Sequence, residues 1–191
     1  PVDWKALRGD LRLVFGRKPP RVLGGDFAGM VTQAPPSSPY QPGDRVWGML
    51  GYLQLRATTG TYAQYIRCPH QALDRMPSNL DFNEAASLPL TALTAYQGLM
   101  HHAHLEAGQR VLVNGASGGV GLCALQIAKA MGASVTAVCS AANHETVLAL
   151  GADAVIDYQS EDLLQARSPF DVWFDVVGNQ RLGTVAHQLK A

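Results

Sequence analysis

A short apolar run, Val111 to Val113, enters a cluster of small residues, Ala116-Ser117-Gly118-Gly119-Val120-Gly121, and an apolar-periodic segment follows at once. The spacing is A-x-G-x-x-G, a variant of the strand-turn-helix fingerprint that holds dinucleotides. The chemistry it permits is anion binding. Small residues at Ala116 and Gly118 allow a tight turn and close backbone approach to a pyrophosphate, and Gly121 lets the helix lie against the strand. The first-turn N–H groups of that helix, with its dipole behind them, then face the diphosphate. A strand-to-helix turn that binds nothing is the simpler alternative, and the further strands that follow at the expected spacing favour the nucleotide.

Cofactor type is legible at the end of the second strand, where an NAD site places Asp or Glu about 20 residues beyond the glycines to hold the ribose hydroxyls. Here that place is Val138-Cys139-Ser140, and no carboxylate follows along the chain until Glu145. A 2′-phosphate would meet no fixed negative charge, so NADPH is expected over NADH. Ser140 and Asn143 are candidates to hydrogen-bond that phosphate, or else simply to cap the next helix. Tyr158, after the third strand, reaches the same region.

These residues need elements to position them. From Arg110 the chain alternates: strand, glycine turn, helix with Leu122, Leu125, Ile127, Ala128 and Met131 on one face, then strand Ser134 to Cys139 and a helix closed by Gly151. Strands Ala154 to Tyr158 and Asp171 to Val177 follow, and a helix starts near Gln180. Near-continuous apolar strands in β-α-β order require a parallel sheet covered on both faces. Residues 22–75 differ. Phe27 to Thr32 and Tyr62 to Cys68 have strand composition, Pro42-Gly43-Asp44 is turn chemistry, and the Pro/Ser-rich segment 34–42 reads as an exposed loop.

Composition narrows the function classes. The 191 residues are 47% hydrophobic and 16% charged, which excludes a disordered tail or a coiled coil. No apolar stretch approaches the roughly 18 residues of a membrane span. Cys68, Cys123 and Cys139 form neither a paired framework nor a metal knuckle, which suits a reducing compartment. Net charge is zero, yet residues 1–75 hold ten bases against five acids and residues 76–191 the reverse. The densest basic run is Lys5, Arg8, Arg12, Arg17, Lys18 and Arg21. Without interleaved aromatics it reads as a solvated surface, and nucleic acid is not the expected partner.

Eight motifs in order resemble the medium-chain dehydrogenase/reductase superfamily, in its zinc-independent quinone oxidoreductase branch. They are PVDWKALRG at 1–9, LGGDFAG at 23–29, PGDRVWG at 42–48, GTYAQY at 60–65, AASLPLTALTAYQGL at 85–99, NGASGGVG at 114–121, LGADAVIDY at 150–158 and DVVGN at 175–179. Within this branch, which includes the zeta-crystallin type, VTAVCS at 135–140 beside LGADAVIDY is similar to the reticulon-4-interacting-protein type and its plant relatives. The resemblance implies an α/β chain: a partial GroES-like, β-rich catalytic domain over residues 1–88, then a partial Rossmann doubly wound sheet over 89–191. Substrate and nicotinamide would meet in the cleft between the domains. It places Thr94 near the nicotinamide and implies a homo-oligomer for the full-length protein.

Departures from the zinc enzymes of that superfamily bear on the chemistry. Gly24-Gly25-Asp26 stands where they carry Gly-His-Glu, Leu90 where they carry a ligating Cys, and their four-cysteine lobe is absent after Gly48. No metal site is expected. His101, His102 and His104, and the pair Cys68 and His70, read as ordinary surface residues. Without a Lewis acid the substrate must already be activated, which points to a quinone or an α,β-unsaturated carbonyl. Lys5 aligns with a Tyr of some relatives that faces the cleft, making it a candidate hydrogen-bond donor or else a solvated lysine. The other function class is a catalytically silent nucleotide-dependent binding protein, with RNA or a protein as partner.

Four strands are legible where the nucleotide fold usually has six, Pro1 replaces an initiator methionine, and Arg181 to Ala191 reads as a helix without a stop signal. A fragment is therefore expected, unstable and inactive alone. The cytoplasm is the default compartment, with organellar targeting open.

Overall fold

The computed structural model describes residues 2–10, 13, 22–51, 60–163 and 169–190. The chain divides into two compact units, Pro1–Leu90 and Thr91–Ala191.

The first unit opens with helix α1 (Val2–Arg8) and contains an antiparallel sheet in the order β1-β2-β3, formed by Asp26–Met30, Arg45–Met49 and Leu73–Arg75. β1 and β2 pair Ala28 with Trp47. A turn at Gln41 to Asp44 leads into β2: Pro42 presets its first corner, Gly43 takes φ +95°, and the Asp44 N–H donates to the Gln41 carbonyl at 3.1 Å. The preceding loop is anchored by the Tyr40 hydroxyl, which donates to the Leu73 carbonyl at 2.9 Å. Helix α2 (Phe82–Ser87) starts on a capping box in which Asp81 and Glu84 each accept the other's backbone N–H.

One expected strand is not formed. Tyr62 to Cys68 carries no sheet ladder; its start is held by Thr61 and Tyr62 N–H donors to the Gly24 and Leu23 carbonyls. Tyr62 and Tyr65 are exposed, so the apolar alternation has no face to bury and strand composition alone does not decide.

The second unit holds a parallel sheet in the order β6-β5-β4-β7, from β4 (Arg110–Asn114), β5 (Ser134–Cys139), β6 (Ala154–Asp157) and β7 (Val172–Asp175). Helix α3 (Pro89–Tyr96) contains the division between the units and continues as a wider turn over Gln97–His102. Gly98 lies there against Phe174, whose ring a Cβ would meet at 2.4 Å. Helices α4 (Gly119–Ala130) and α5 (His144–Ala149) alternate with the strands and stop near Gly132 and Gly151, both at positive φ.

Strand period two divides the core. Val111, Val113, Val135 and Ala137 pack with Leu99, Leu125 and Val147, while Leu112 and Val138 pack with Leu163 and Phe170 in a second cluster. Both faces of the sheet are thus buried, as parallel strands require. The last expected helix is shorter than its periodicity suggests: α6 covers Leu182–Val185, a 3₁₀ turn follows at Ala186–Gln188, and Leu189 is extended beside Phe170. The Phe170 N–H and carbonyl bond to Gln188 and Lys190, and these backbone bonds outcompete another helical turn.

Among the described residues no helix is long and apolar enough to cross a membrane. Arg12, Arg17, Lys18 and Arg21 of the basic run lie outside the described residues.

Candidate functional site

The glycine turn is built from the end of β4. Asn114 pairs with Val138 in register, and the next two N–H groups, of Gly115 and Ala116, both donate to the Val138 carbonyl at 3.1 and 3.0 Å. Gly115 takes φ +83°, which reverses the chain, and the Gly118 N–H closes the turn on the Gly115 carbonyl. A Cβ on Gly121 would stand 2.2 Å from that carbonyl oxygen and 2.7 Å from the Ala116 Cα, so backbone forbids it.

The two indispensable glycines are therefore Gly115 and Gly121, which corrects the assignment of the tight turn to Ala116 and Gly118. Gly118 has an ordinary φ of −80°, and Ala116 is fully buried, packed into the core. The Asn-Gly dipeptide at 114–115 carried the missed signal.

Gly118 and Gly119 are exposed, and no side chain caps the N-terminus of α4. The first-turn N–H groups are thus left for an external acceptor, and the absent side chains leave backbone open to it. The residues present fit a diphosphate. Val120 packs against the core and contributes backbone only, while Ser117 is half-buried. Thr91 flanks the turn, since a Cβ on Gly119 would meet its Cγ2 at 3.0 Å, and Thr94 is exposed one turn further along α3.

Ser140 and Tyr158 follow directly on the paired residues Cys139 and Asp157, so register sets them side by side at the carboxyl ends of β5 and β6. Tyr158 is exposed. The Asn143 Nδ2 donates to the Ser140 Oγ at 3.0 Å, and neither side chain caps a helix, which removes the capping alternative.

Sheet register also brings a carboxylate that the linear reading missed. Burial first, and then the nearby Asp157 carboxylate, push the Cys139 thiol above its ordinary range. Asp157 Oδ1 accepts the Gln159 N–H at 3.0 Å, which ties it to its own turn. Reading outward from the glycines along one strand could not find it, because it sits on the neighbouring strand.

In the first unit, Lys5 is exposed on α1, its Nζ 5.7 Å from the Trp4 ring centroid. Beside it in sequence, Asp3 accepts the Gly24 N–H at 2.8 Å and the Tyr62 hydroxyl at 3.3 Å. Asp26 accepts the Leu90 N–H at 3.0 Å. Burial, partly offset by that bond, holds the Asp26 carboxyl above its ordinary range, and the charge of Asp3 adds to the rise. Asp26 and Leu90, two of the positions compared with the zinc enzymes, are thus neighbours, one an acid and the other apolar. Among the described residues no group of three or more His, Cys, Asp or Glu side chains is arranged to hold a metal ion.

Comparison with known proteins matches residues 1–78 to the alcohol dehydrogenase GroES-like domain and residues 119–190 to the family described as zinc-binding dehydrogenase. The chain is 38% identical over 183 residues to the chloroplastic quinone-oxidoreductase homolog of Spinacia oleracea, covering 93% of this chain and 54% of that protein. It is 40% identical over 173 residues to the mitochondrial NAD(P)H oxidoreductase RTN4IP1 of Homo sapiens, covering 86% and 43%. The trans-enoyl reductase pgmF of Aspergillus terreus is 36% identical over 189 residues, covering 93% and 52%. The quinone oxidoreductase structure from Coxiella burnetii superposes with a TM-score of 0.85 at 32% identity, over 100% of this chain and 60% of that one. The chain thus spans about half the length of the curated relatives it matches. With its GroES-like unit followed by a Rossmann-like parallel sheet and glycine turn, the chain belongs to the medium-chain dehydrogenase/reductase superfamily.

Proposed function

We propose that this chain is part of an NADPH-dependent oxidoreductase that reduces a quinone or an activated C=C bond, such as that of an enone, without zinc. The carrying observation is the end of β5, where the hydrogen-bonded neutral pair Ser140 and Asn143 stands in place of an acidic ribose clamp. The nicotinamide, when bound, supplies the hydride. The chain's own residues bind and orient: the α4 N-terminus and Ser117 to Gly121 hold the diphosphate, Ser140, Asn143 and Tyr158 hold the 2′-phosphate, and Thr94 flanks the nicotinamide.

The zinc-free reading rests on residue types. Gly25 and Leu90 offer no ligand atoms where the zinc enzymes carry His and Cys, so an isolated carbonyl would go unpolarised. A conjugated acceptor instead spreads the charge left by hydride addition onto an oxygen that hydrogen-bond donors can stabilise, and Lys5 is the donor proposed here.

Titration with both reduced cofactors tests the reading. NADPH should bind about tenfold more tightly than NADH or better, a difference of about 1.4 kcal/mol, and should be consumed with a quinone or an enone in the presence of a chelator. Equal affinity for the two cofactors would overturn the NADPH assignment, and loss of turnover on chelation the zinc-free one.

A further inference from the structure

The sheet order β6-β5-β4-β7 makes β4 the point where the chain reverses its direction of travel across the sheet: β5 and β6 add on one side, β7 on the other. In open parallel sheets a dinucleotide lies across the carboxyl ends at such a switch point, one mononucleotide on each side. Both strands flanking this point end on polar residues that face each other in register, Asn114 and Asp175.

Asn114 is 4% exposed, and both of its amide hydrogens are used. Nδ2 donates to Asp175 Oδ1 at 2.8 Å and to Asn179 Oδ1 at 3.0 Å. Because both partners are acceptors, the amide orientation is dictated: the flipped form would set Oδ1 against a carboxylate. Asp175 in turn organises the loop after β7, its Oδ1 accepting the Val177 and Gly178 N–H groups at 3.0 Å and its Oδ2 that of Gln180 at 3.3 Å. The same loop carries Val177, whose Cγ2 would lie 2.8 Å from a Cβ on Gly115. One buried amide therefore joins the loop 176–179 to the strand that bears the glycine turn.

We infer that Asn114 is a positioning residue for the dinucleotide: it locks the post-β7 loop against the glycine turn, so that the nicotinamide side of the switch point is held in register with the diphosphate cradle. This rests on the dinucleotide reading above. A purely structural Asn would affect all ligands alike. A positioning Asn discriminates between the two halves of one ligand, because the adenosine half lies over β5 and β6, away from the loop.

The experiment measures direct binding of NADPH and of adenosine 2′,5′-bisphosphate, which occupies only the adenosine half, to the whole protein. For N114A the NADPH dissociation constant should rise about tenfold or more, the scale of a lost hydrogen bond to a charged group, while that for the bisphosphate stays within about twofold. N114D, which opposes two carboxylates, should weaken NADPH about a hundredfold, again with the bisphosphate little affected. The inference is overturned if N114A weakens both ligands equally or neither. Wild-type protein that binds neither ligand would instead overturn the dinucleotide reading, and this inference with it.

Discussion

The two units hold their sheets by different means. Residues 91–191 bury strands on both faces: Val111, Leu112, Val113, Val135 and Val138 are entirely excluded from solvent. Among the described residues of the first unit the buried apolar side chains are Ala6, Val46, Leu50, Met76 and Ala85, and its long-range ties are polar: Asp3 to Gly24, Tyr40 to Leu73, Asp26 to Leu90. An apolar core tolerates no interruption but needs no particular partner atom. Polar ties act singly, each depending on one donor and one acceptor. The contrast explains why the second unit supports a rigid glycine turn, whose geometry is set by backbone contacts of a few ångströms.

The sharpest way to break the contrast is G121A, which drives a Cβ into the Gly115 carbonyl at 2.2 Å. Dinucleotide affinity should fall more than about a hundredfold, since the turn must open to admit the methyl group. A titration showing affinity within tenfold of wild type would mean that the turn is compliant. Next in size, L112A in the second core should cost about 2–5 kcal/mol in denaturant unfolding. In the first unit Y40F, which leaves the Leu73 carbonyl without its donor, should cost only about 1 kcal/mol. If Y40F proved as damaging as L112A, polar ties would be as structurally demanding as the buried core.

The smallest effects concern two carboxylates of opposite sign. Asp153 is held below the ordinary carboxylate range: its burial would raise it, but the Lys129 ammonium at 2.8 Å and the Val135 N–H outweigh that. Its contribution is therefore present at neutral pH and is lost as pH falls through that range toward the folded value, so D153N should destabilise by about 0.2–1 kcal/mol at pH 7 and hardly at all in strong acid. Asp26 is held above its ordinary range, chiefly by burial, so its ionised form works against folding. D26N should raise the melting temperature slightly at pH 7, with the gain vanishing below the carboxylate range, where both side chains are neutral. Melting curves across pH check both, and shifts of the same sign would refute the assignment.

Legibility follows the same division. Ser134 to Cys139 was readable because Val135, Ala137, Val138 and Cys139 form the mostly apolar, buried run that a central parallel strand requires, and the glycine spacing announced the turn that precedes it. Tyr62 to Cys68 misled because strand composition describes a half-buried surface without saying whether a partner strand exists. The C-terminal helix was overextended because helical periodicity carries no information about the backbone bonds that Phe170 offers to Gln188 and Lys190. Within the site, Ser117 to Gly121, Ser140, Asn143 and Tyr158 could be named from spacing alone. Gly115 was announced by the Asn-Gly dipeptide, whereas Asp157 and the Asn114–Asp175 pair could not be, since their importance arises between strands.

By itself, then, the sequence determined which local chemistry could be offered: small residues at fixed intervals for a strand-to-helix turn, and neutral groups after the second strand. These are matters of residue type and local spacing, and both are written along the chain. Only the tertiary structure decided which glycines the turn requires, which carboxylate stands beside Cys139, and that one buried amide links the two strands of the switch point. The reason is geometric. Sheet register brings together residues about sixty positions apart, such as Asn114 and Asp175, and no local pattern encodes that distance.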